Sequence, residues 1–244
     1  MPSPSAAKNR TPALAAVRGR GRPPQGPEAQ AALRQRLLDA TQAVFTQVGY
    51  HGLSVEAVIA EAELSRPTFY KHFRNTDEAI DLVIRAVNDS LINALMEVVR
   101  SAGSDGRSDH SFAAVEAGLN AWRQWGEDMG PMLRPLFAEL HDAHSPASVH
   151  RRRTLDIAAA ALMQMTEALG RLRPTRLQID ALLNGVEYLG YRYHLETPRD
   201  AASWKQTRDA MLRLTLGLLG NADDWGHAPQ LAQALQIDLA PHEH

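Results

Sequence analysis

The sequence predicts an all-α protein in two unequal parts, a small basic amino-terminal unit and a larger acidic helical body. Three observations carry that expectation. Apolar residues recur at helical spacing through most of the 244 residues, and no alternating run long enough for a strand interrupts them. The charge is split: the net −2 of the whole chain divides into +5 for residues 1–75, with ten Lys and Arg against five acids, and −7 for the rest. The hydrophobic content of 44% and charged content of 22% suit a buried core rather than pervasive disorder.

Residues 1–28 hold Pro, Gly, Ser, Ala and Arg without apolar periodicity, and no acid precedes Glu28. They are expected to form a flexible basic arm. Within it, Arg18-Gly19-Arg20-Gly21-Arg22-Pro23-Pro24 looks like an AT-hook core, whose Gly-spaced arginines suit a narrow, electronegative minor groove. A soluble leader is the plainer alternative. A first helix starts near Glu28, with Leu33, Leu37, Val44 and Val48 on one stripe, Leu38 and Phe45 beside it, and Gly49 to end it.

Two short helices follow. Ser54 is placed to cap the first, whose Val55, Val58, Ile59 and Ala62 turn inward. Ser65 is placed to cap the second, with Pro67 in the first turn, where a missing N–H costs little. Phe69 and Phe73 bury one face, leaving Arg66, Thr68, Tyr70, Lys71 and His72 on the other. Two short capped helices with a tight turn between them make a helix-turn-helix between Ser54 and Phe73, within a first domain of residues 29–75. Asn75 then caps a fourth helix that runs to about Arg100, with Thr76, Asp77 and Glu78 in its first turn.

Gly49-Tyr50, Ser54-Val55-Glu56 and the run Leu64-Ser65-Arg66-Pro67-Thr68-Phe69-Tyr70-Lys71-His72-Phe73 resemble the DNA-binding domain of TetR/AcrR-family regulators, over roughly residues 30–85. The resemblance implies an amino-terminal helix-turn-helix DNA-binding domain on a larger ligand-binding and dimerisation domain. It further implies a homodimer on a palindromic operator, usually a repressor released by a small molecule. Three positions depart from the family pattern. Ile59 stands where a small Ala is usual, Glu63 where the turn usually has Gly, and Thr76 where a Lys often approaches phosphate. If the turn is left-handed at Glu63, the substitution costs roughly 1 kcal/mol.

In a major groove, Arg66 suits bidentate bonds to guanine, and Thr68, Tyr70 and Lys71 suit phosphate, with the N–H groups behind Ser54 and Asn75 as helpers. The candidate DNA-contacting set is therefore Arg66, Pro67, Thr68, Tyr70, Lys71, His72, Ser54, Ser65 and Thr76, plus Arg18, Arg20 and Arg22 of the arm.

The body, residues 76–220, is expected to hold helices near 111–127, 131–143, 146–170, 175–196 and 200–219. Residues 221–244 form a tail in which Leu231, Leu235 and Leu239 hint at a short helix. Trp122, Trp125, Met129, Met132, Phe137, Met163, Tyr188 and Tyr191, with Met165, are candidates to line a cavity for a hydrophobic or aromatic effector, or form ordinary core. The last two helices are apolar on more than one side. Leu182, Leu189, Met211, Leu212, Leu218 and Leu219 are candidates for a dimer interface, with Gly185, Gly190 and Gly217 permitting close approach.

Other chemistries find little support. The absence of cysteine excludes disulfides and thiolate metal sites. P-loop, HExxH, GxSxG and paired-carboxylate motifs are missing, which argues against the rival enzyme reading; a helical adaptor is the other rival. His141-Asp142-Ala143-His144, with His150 nearby, carries metal-ligating groups but reads more simply as a polar helix end, so neither metal nor cofactor is expected. Arg151, Arg152 and Arg153 read as a solvated face, and Glu187 as either a polar ligand contact or surface. No apolar run reaches the ~20 residues of a membrane span and no secretory signal is evident, so a cytoplasmic location is expected.

Overall fold

A computed structural model of the chain describes residues 26–103, 111–168, 171–196, 198–226 and 228–234. The arginines of the arm, Arg18, Arg20 and Arg22, lie outside the described residues, as do Leu235 and Leu239 of the tail. Among the described residues the regular elements are all helical. None of these helices is long and apolar enough to cross a membrane.

Helix α1 (Pro27–Val48) ends at Gly49, whose φ of 69° turns the chain sharply into the α1–α2 loop. In α2 (Val55–Glu61), Ser54 caps as expected, its Oγ accepting the Ala57 N–H at 3.2 Å. The turn into α3 (Arg66–His72) is a Schellman closure: the Leu64 N–H reaches the Ile59 carbonyl and the Glu63 N–H the Ala60 carbonyl, at 3.0 and 3.2 Å. That geometry puts Glu63 at φ 50°, the one non-glycine residue with positive φ among those described. The left-handed turn anticipated from the sequence is therefore present without its glycine, and Arg36 holds the Glu63 carboxylate at 2.9 Å. Ile59 fits half-buried beside Val58 and Leu64, so a larger side chain there is accommodated.

Helix α4 (Thr76–Gly103) is the spine. Asn75 caps it, accepting the Glu78 N–H at 2.9 Å, while the Glu78 carboxylate accepts the Arg74 N–H at 2.8 Å. Its Ala79 joins the core of α1, α2 and α3, and its next residue, Ile80, joins the core of the body.

The body comprises α5 (Ser111–Met129), a 3₁₀ turn at Gly130–Met132, α6 (Leu133–Glu139), α7 (Pro146–Ala168), α8 (Arg176–Leu195) and α9 (Ala201–Leu219), followed by the short α10 (Ala222–Gly226) and α11 (Pro229–Ala234). The helix expected over 131–143 is shorter. After Glu139 the chain passes into i→i+3 turns, and the Asp142 side chain accepts the His144 N–H at 2.9 Å, an Asx turn that competes with helix continuation. Capping boxes start α8 at Thr175 and α9 at Asp200.

Two cores fill the body. One joins Phe45 of α1 to Ile80, Ile84, Trp122, Trp125, Met132, Leu136 and Tyr191. The other packs Leu119 and Tyr193 against Trp204, Met211, Leu212, Leu216 and Trp225. Gly185 and Gly190 serve these cores rather than a second chain: a Cβ at Gly185 would stand 2.3 Å from Leu214, and one at Gly190 2.2 Å from the Trp122 ring. Only Gly217 of the three expected to ease dimer contact faces open space.

His194 lies in this packing, with its ring beside Trp122 and Tyr193 and against the bare backbone of Gly126. Both ring nitrogens are buried without a partner. Burial lowers its pKa to about 4, with Glu127 opposing and Arg199 and Arg123 reinforcing that shift. The unfolded chain therefore binds a proton at higher pH than the fold does. Stability is complete above the ordinary histidine range and drains as pH falls from about 6.5 toward 4, by up to about 3 kcal/mol. Urea midpoints measured across that window should fall for the native chain and flatten for His194→Leu. At the turn, Glu63→Gly should raise equilibrium stability by roughly 0.5–1 kcal/mol, since glycine removes the left-handed penalty and the exposed Arg36 pair contributes little.

Candidate nucleic-acid interface

Helix α3 is held from behind and bare in front. Phe69 and Phe73 are buried among Leu37, Val44, Val58 and Ala62. Arg34 of α1 closes the carboxyl end of α3, donating to the His72 carbonyl at 2.9 Å while its guanidinium lies 4.5 Å over the Phe73 ring. This orphan carbonyl at the helix end thereby gains a charged donor. On the outer side, Arg66, Pro67, Tyr70 and Lys71 are exposed and Thr68 is half-buried.

The outward residues are not equivalent. Lys71 makes no hydrogen bond or ion pair among the described residues. Arg66 is engaged: its Nη1 lies 2.5 Å from the Glu56 carboxylate on α2, and the Tyr70 ring lies 5.8 Å from its guanidinium. The Tyr70 hydroxyl first, and Glu56 after it, reinforce its positive charge. Both members of the Arg66–Glu56 pair are more than half exposed, so the pair is weak and easily exchanged for another acceptor.

Two sequence expectations change here. Ser65 occupies the N-cap position, but its hydroxyl meets the Thr68 hydroxyl at 2.8 Å instead of a backbone N–H, because the side chain at the third helical position competes for it. His72 faces outward only in part. It is half-buried, its Nε2 is sealed without a partner, and burial with Arg34 and Lys71 nearby pushes its pKa below the ordinary histidine value. Three residues after Phe69, it flanks the inward stripe. Ser54 and Thr76 lie half-buried at the starts of α2 and α4.

The residues that fix the pose of α3 went unread in the sequence. Arg34 is 38 positions from His72, and Glu139, whose Oε1 accepts the Tyr50 N–H at 3.1 Å, is 89 positions from Tyr50. The Tyr50 hydroxyl also donates to Asp77 at the start of α4 at 3.1 Å. Local patterns carry no signal for such pairs. Only the helical register of Arg34, one turn before Leu37 and Leu38, places it near the end of α3.

In the body, Trp122, Trp125, Met132 and Tyr191 are buried together, with Met129 and Phe137 packed against them. Phe137 stacks on Tyr191 at 4.5 Å, and the Trp125 indole donates to Ser90 at 3.0 Å. Met163 and Met165 are half-buried on α7. Tyr188 departs from its expected cavity role: it is 53% exposed on the outer face of α8, three residues away from the inward Tyr191. Leu182, Met211 and Leu212 are buried inside the chain and so unavailable to a second copy, whereas Leu189, Leu218 and Leu219 are half-buried. Arg151 is not solvated either. It pairs with Glu187 at 2.6 Å and donates to Asn184. His150 leaves the His141–His144 turn and bonds Asp81 of α4 at 2.8 Å.

Comparison with known proteins agrees with this geometry. The family model described as bacterial regulatory proteins, tetR family, matches residues 37–80. The HTH-type transcriptional activator FasR of Mycolicibacterium smegmatis is 32% identical over 84 residues, 34% of this chain and 37% of that protein. The chain thus spans little more than a third of that relative's length. A TetR-like transcriptional regulator from Rhodococcus sp. RHA1 superposes with a TM-score of 0.55 at 24% identity, covering 75% of this chain and 95% of that one. The structure of a SmeT–triclosan complex does so with a TM-score of 0.54 at 18% identity, covering 76% and 90%. The α2–turn–α3 unit thus lies inside the segment that matches the tetR-family model, and the helices beyond it share the fold of these solved regulators.

Proposed function

We propose that the chain is a sequence-specific, homodimeric DNA-binding repressor that leaves a palindromic operator when its body takes up a small hydrophobic or aromatic molecule. The observation that carries this reading is α3: a short helix locked from behind by Phe69, Phe73 and Arg34, presenting Pro67, Tyr70, Lys71 and, beside them, Arg66 and Thr68. A single exposed helix with a cationic face fits the major groove. Arg66 is assigned to base readout after exchanging Glu56 for guanine, and Thr68, Tyr70 and Lys71 to phosphate. Arg18, Arg20 and Arg22 are assigned to the adjacent minor groove. This role places the protein with the chromosome in the cytoplasm, as a regulator rather than an enzyme.

Dimerisation is supported by α8, which leaves Leu177 79% and Tyr188 53% exposed on the stripe that also holds Ala181 and Asn184. With Leu189, Leu218 and Leu219 alongside, this surface replaces the buried Leu182, Met211 and Leu212 as the interface, and a two-fold dimer matches a two-fold operator. An effector site is supported by the aromatic core around Trp122 and Tyr191 and by the triclosan complex of the similarly folded SmeT. Release requires the effector to favour one spacing of the two α3 helices over another.

Selection of bound sites from random DNA, followed by anisotropy titrations, tests the reading. A palindromic consensus is expected; failure to enrich any sequence rejects it. On the selected site, Arg66→Ala should weaken binding by ~1–3 kcal/mol and relax one base position, while Lys71→Ala should weaken all sequences alike and reduce the salt slope by about one. Glu56→Gln should tighten binding, since it frees Arg66 and removes a negative charge. Deleting residues 1–24 should lower affinity and salt slope together; unchanged values would remove the arm from the interface.

A further inference from the structure

His51, Glu139 and Asp142 meet where the α1–α2 loop rests on the end of α6, and each offers one ligand atom within 4.8 Å of the others. The His51 Nε2 lies 2.6 Å from an Asp142 oxygen. The other Asp142 oxygen accepts the His144 N–H at 2.9 Å and lies 3.3 Å from the His144 Nδ1. Glu139 is only 8% exposed. One of its oxygens accepts the Tyr50 N–H, but Oε2 is buried without a partner.

A buried carboxylate oxygen with no donor is expensive, and such groups are ordinarily hydrogen-bonded, paired or metal-bound. The Asx turn that ends α6 aims Asp142 back at the loop, and the sharp bend at Gly49 brings His51 to meet it. One imidazole and two carboxylates form a donor set for a divalent transition cation, whose charge they neutralise. At metal–ligand distances of ~2.0–2.2 Å, ligand atoms stand ~3.4 Å apart, so the His51–Asp142 contact must open by less than ~1 Å. His51 is exposed enough to make that movement.

We propose that His51, Glu139 and Asp142 bind a divalent cation of the zinc class, with water or the exposed His144 completing the shell, and that this ion fastens the helix-turn-helix to the body. Its ligands come from both sides of the junction: His51 from the loop leading into α2, Glu139 and Asp142 from the body. Tyr50, beside His51, already ties the loop to Asp77 on α4. Occupancy therefore stiffens the loop that sets the pose of α2 and α3. The binding of the ion does not depend on the DNA-binding reading; only its effect on operator affinity does.

The test is a titration of the chelator-stripped full chain with Zn²⁺, by calorimetry and by hydrogen exchange of the loop. One equivalent should bind, and exchange at residues 49–54 should slow on binding. His51→Ala and Asp142→Asn should each weaken binding by at least about tenfold, while His141→Ala on the neighbouring exposed imidazole should not. Glu139→Gln, which keeps a carbonyl oxygen for the Tyr50 N–H and so preserves the junction, should weaken binding likewise. Absence of binding, or binding that survives these three ligand substitutions, would mean that the cluster holds only a His51–Asp142 salt bridge, and binding without slower exchange would mean that the ion does not fasten the loop; each result would overturn the proposal.

Discussion

Everything in the molecule depends on α1 being buried on two sides. Leu37, Ala40 and Val44 face α2 and α3, while Phe45, one residue later, is fully buried among Ile80, Leu136 and the other body residues. Full burial of a phenylalanine is worth up to about 3 kcal/mol, so detaching the amino-terminal unit from the body exposes a costly surface. Leu38 packs against both cores. The helix-turn-helix therefore has no core of its own that is independent of the helix carrying it.

From this constraint the pose of α3 follows. Arg34, on the same helix, holds the carboxyl end of α3, and the loop at Tyr50 is pinned by Glu139 and Asp77. A rearrangement of α6 can reach α3 through α1 and this loop, whereas one of α4 also reaches it directly, through Ala79 and the short link after Phe73. These are contiguous routes from the body to α3, and their contacts are few and nameable. The outward Arg66 and Lys71 are by contrast loosely held, Arg66 only by an exposed pair with Glu56.

In the body, aromatic stacking and polar ties divide the labour. Trp122, Phe137 and Tyr191 fill the middle, where Gly190 lets the Trp122 ring approach the α8 backbone. Around them, His150–Asp81 joins α7 to α4 and Arg151–Glu187 joins α7 to α8. Both ties are partly buried and directional, so they fix helix register where apolar packing alone tolerates sliding.

The longer helices, the caps at Ser54 and Asn75 and the inward phenylalanines were legible in the residues, and the left-handed turn at Glu63 only as a possibility raised by the family resemblance. Each depends on neighbours within about one turn, where spacing and backbone chemistry are enough. The fate of individual side chains on a multi-sided helix was not legible. Tyr188 and Tyr191 share a helix and a chemistry, yet one is outside and one inside; Leu182 and Met211 turned inward, and His72 sealed one ring nitrogen against the core. Likewise His51 could be joined to Glu139 and Asp142 only by folding a loop onto a turn some ninety residues away. Local order thus came from the sequence itself, whereas which apolar face met which, and which distant polar groups were brought together, was decided by tertiary packing, because those contacts arise only once the helices share a core.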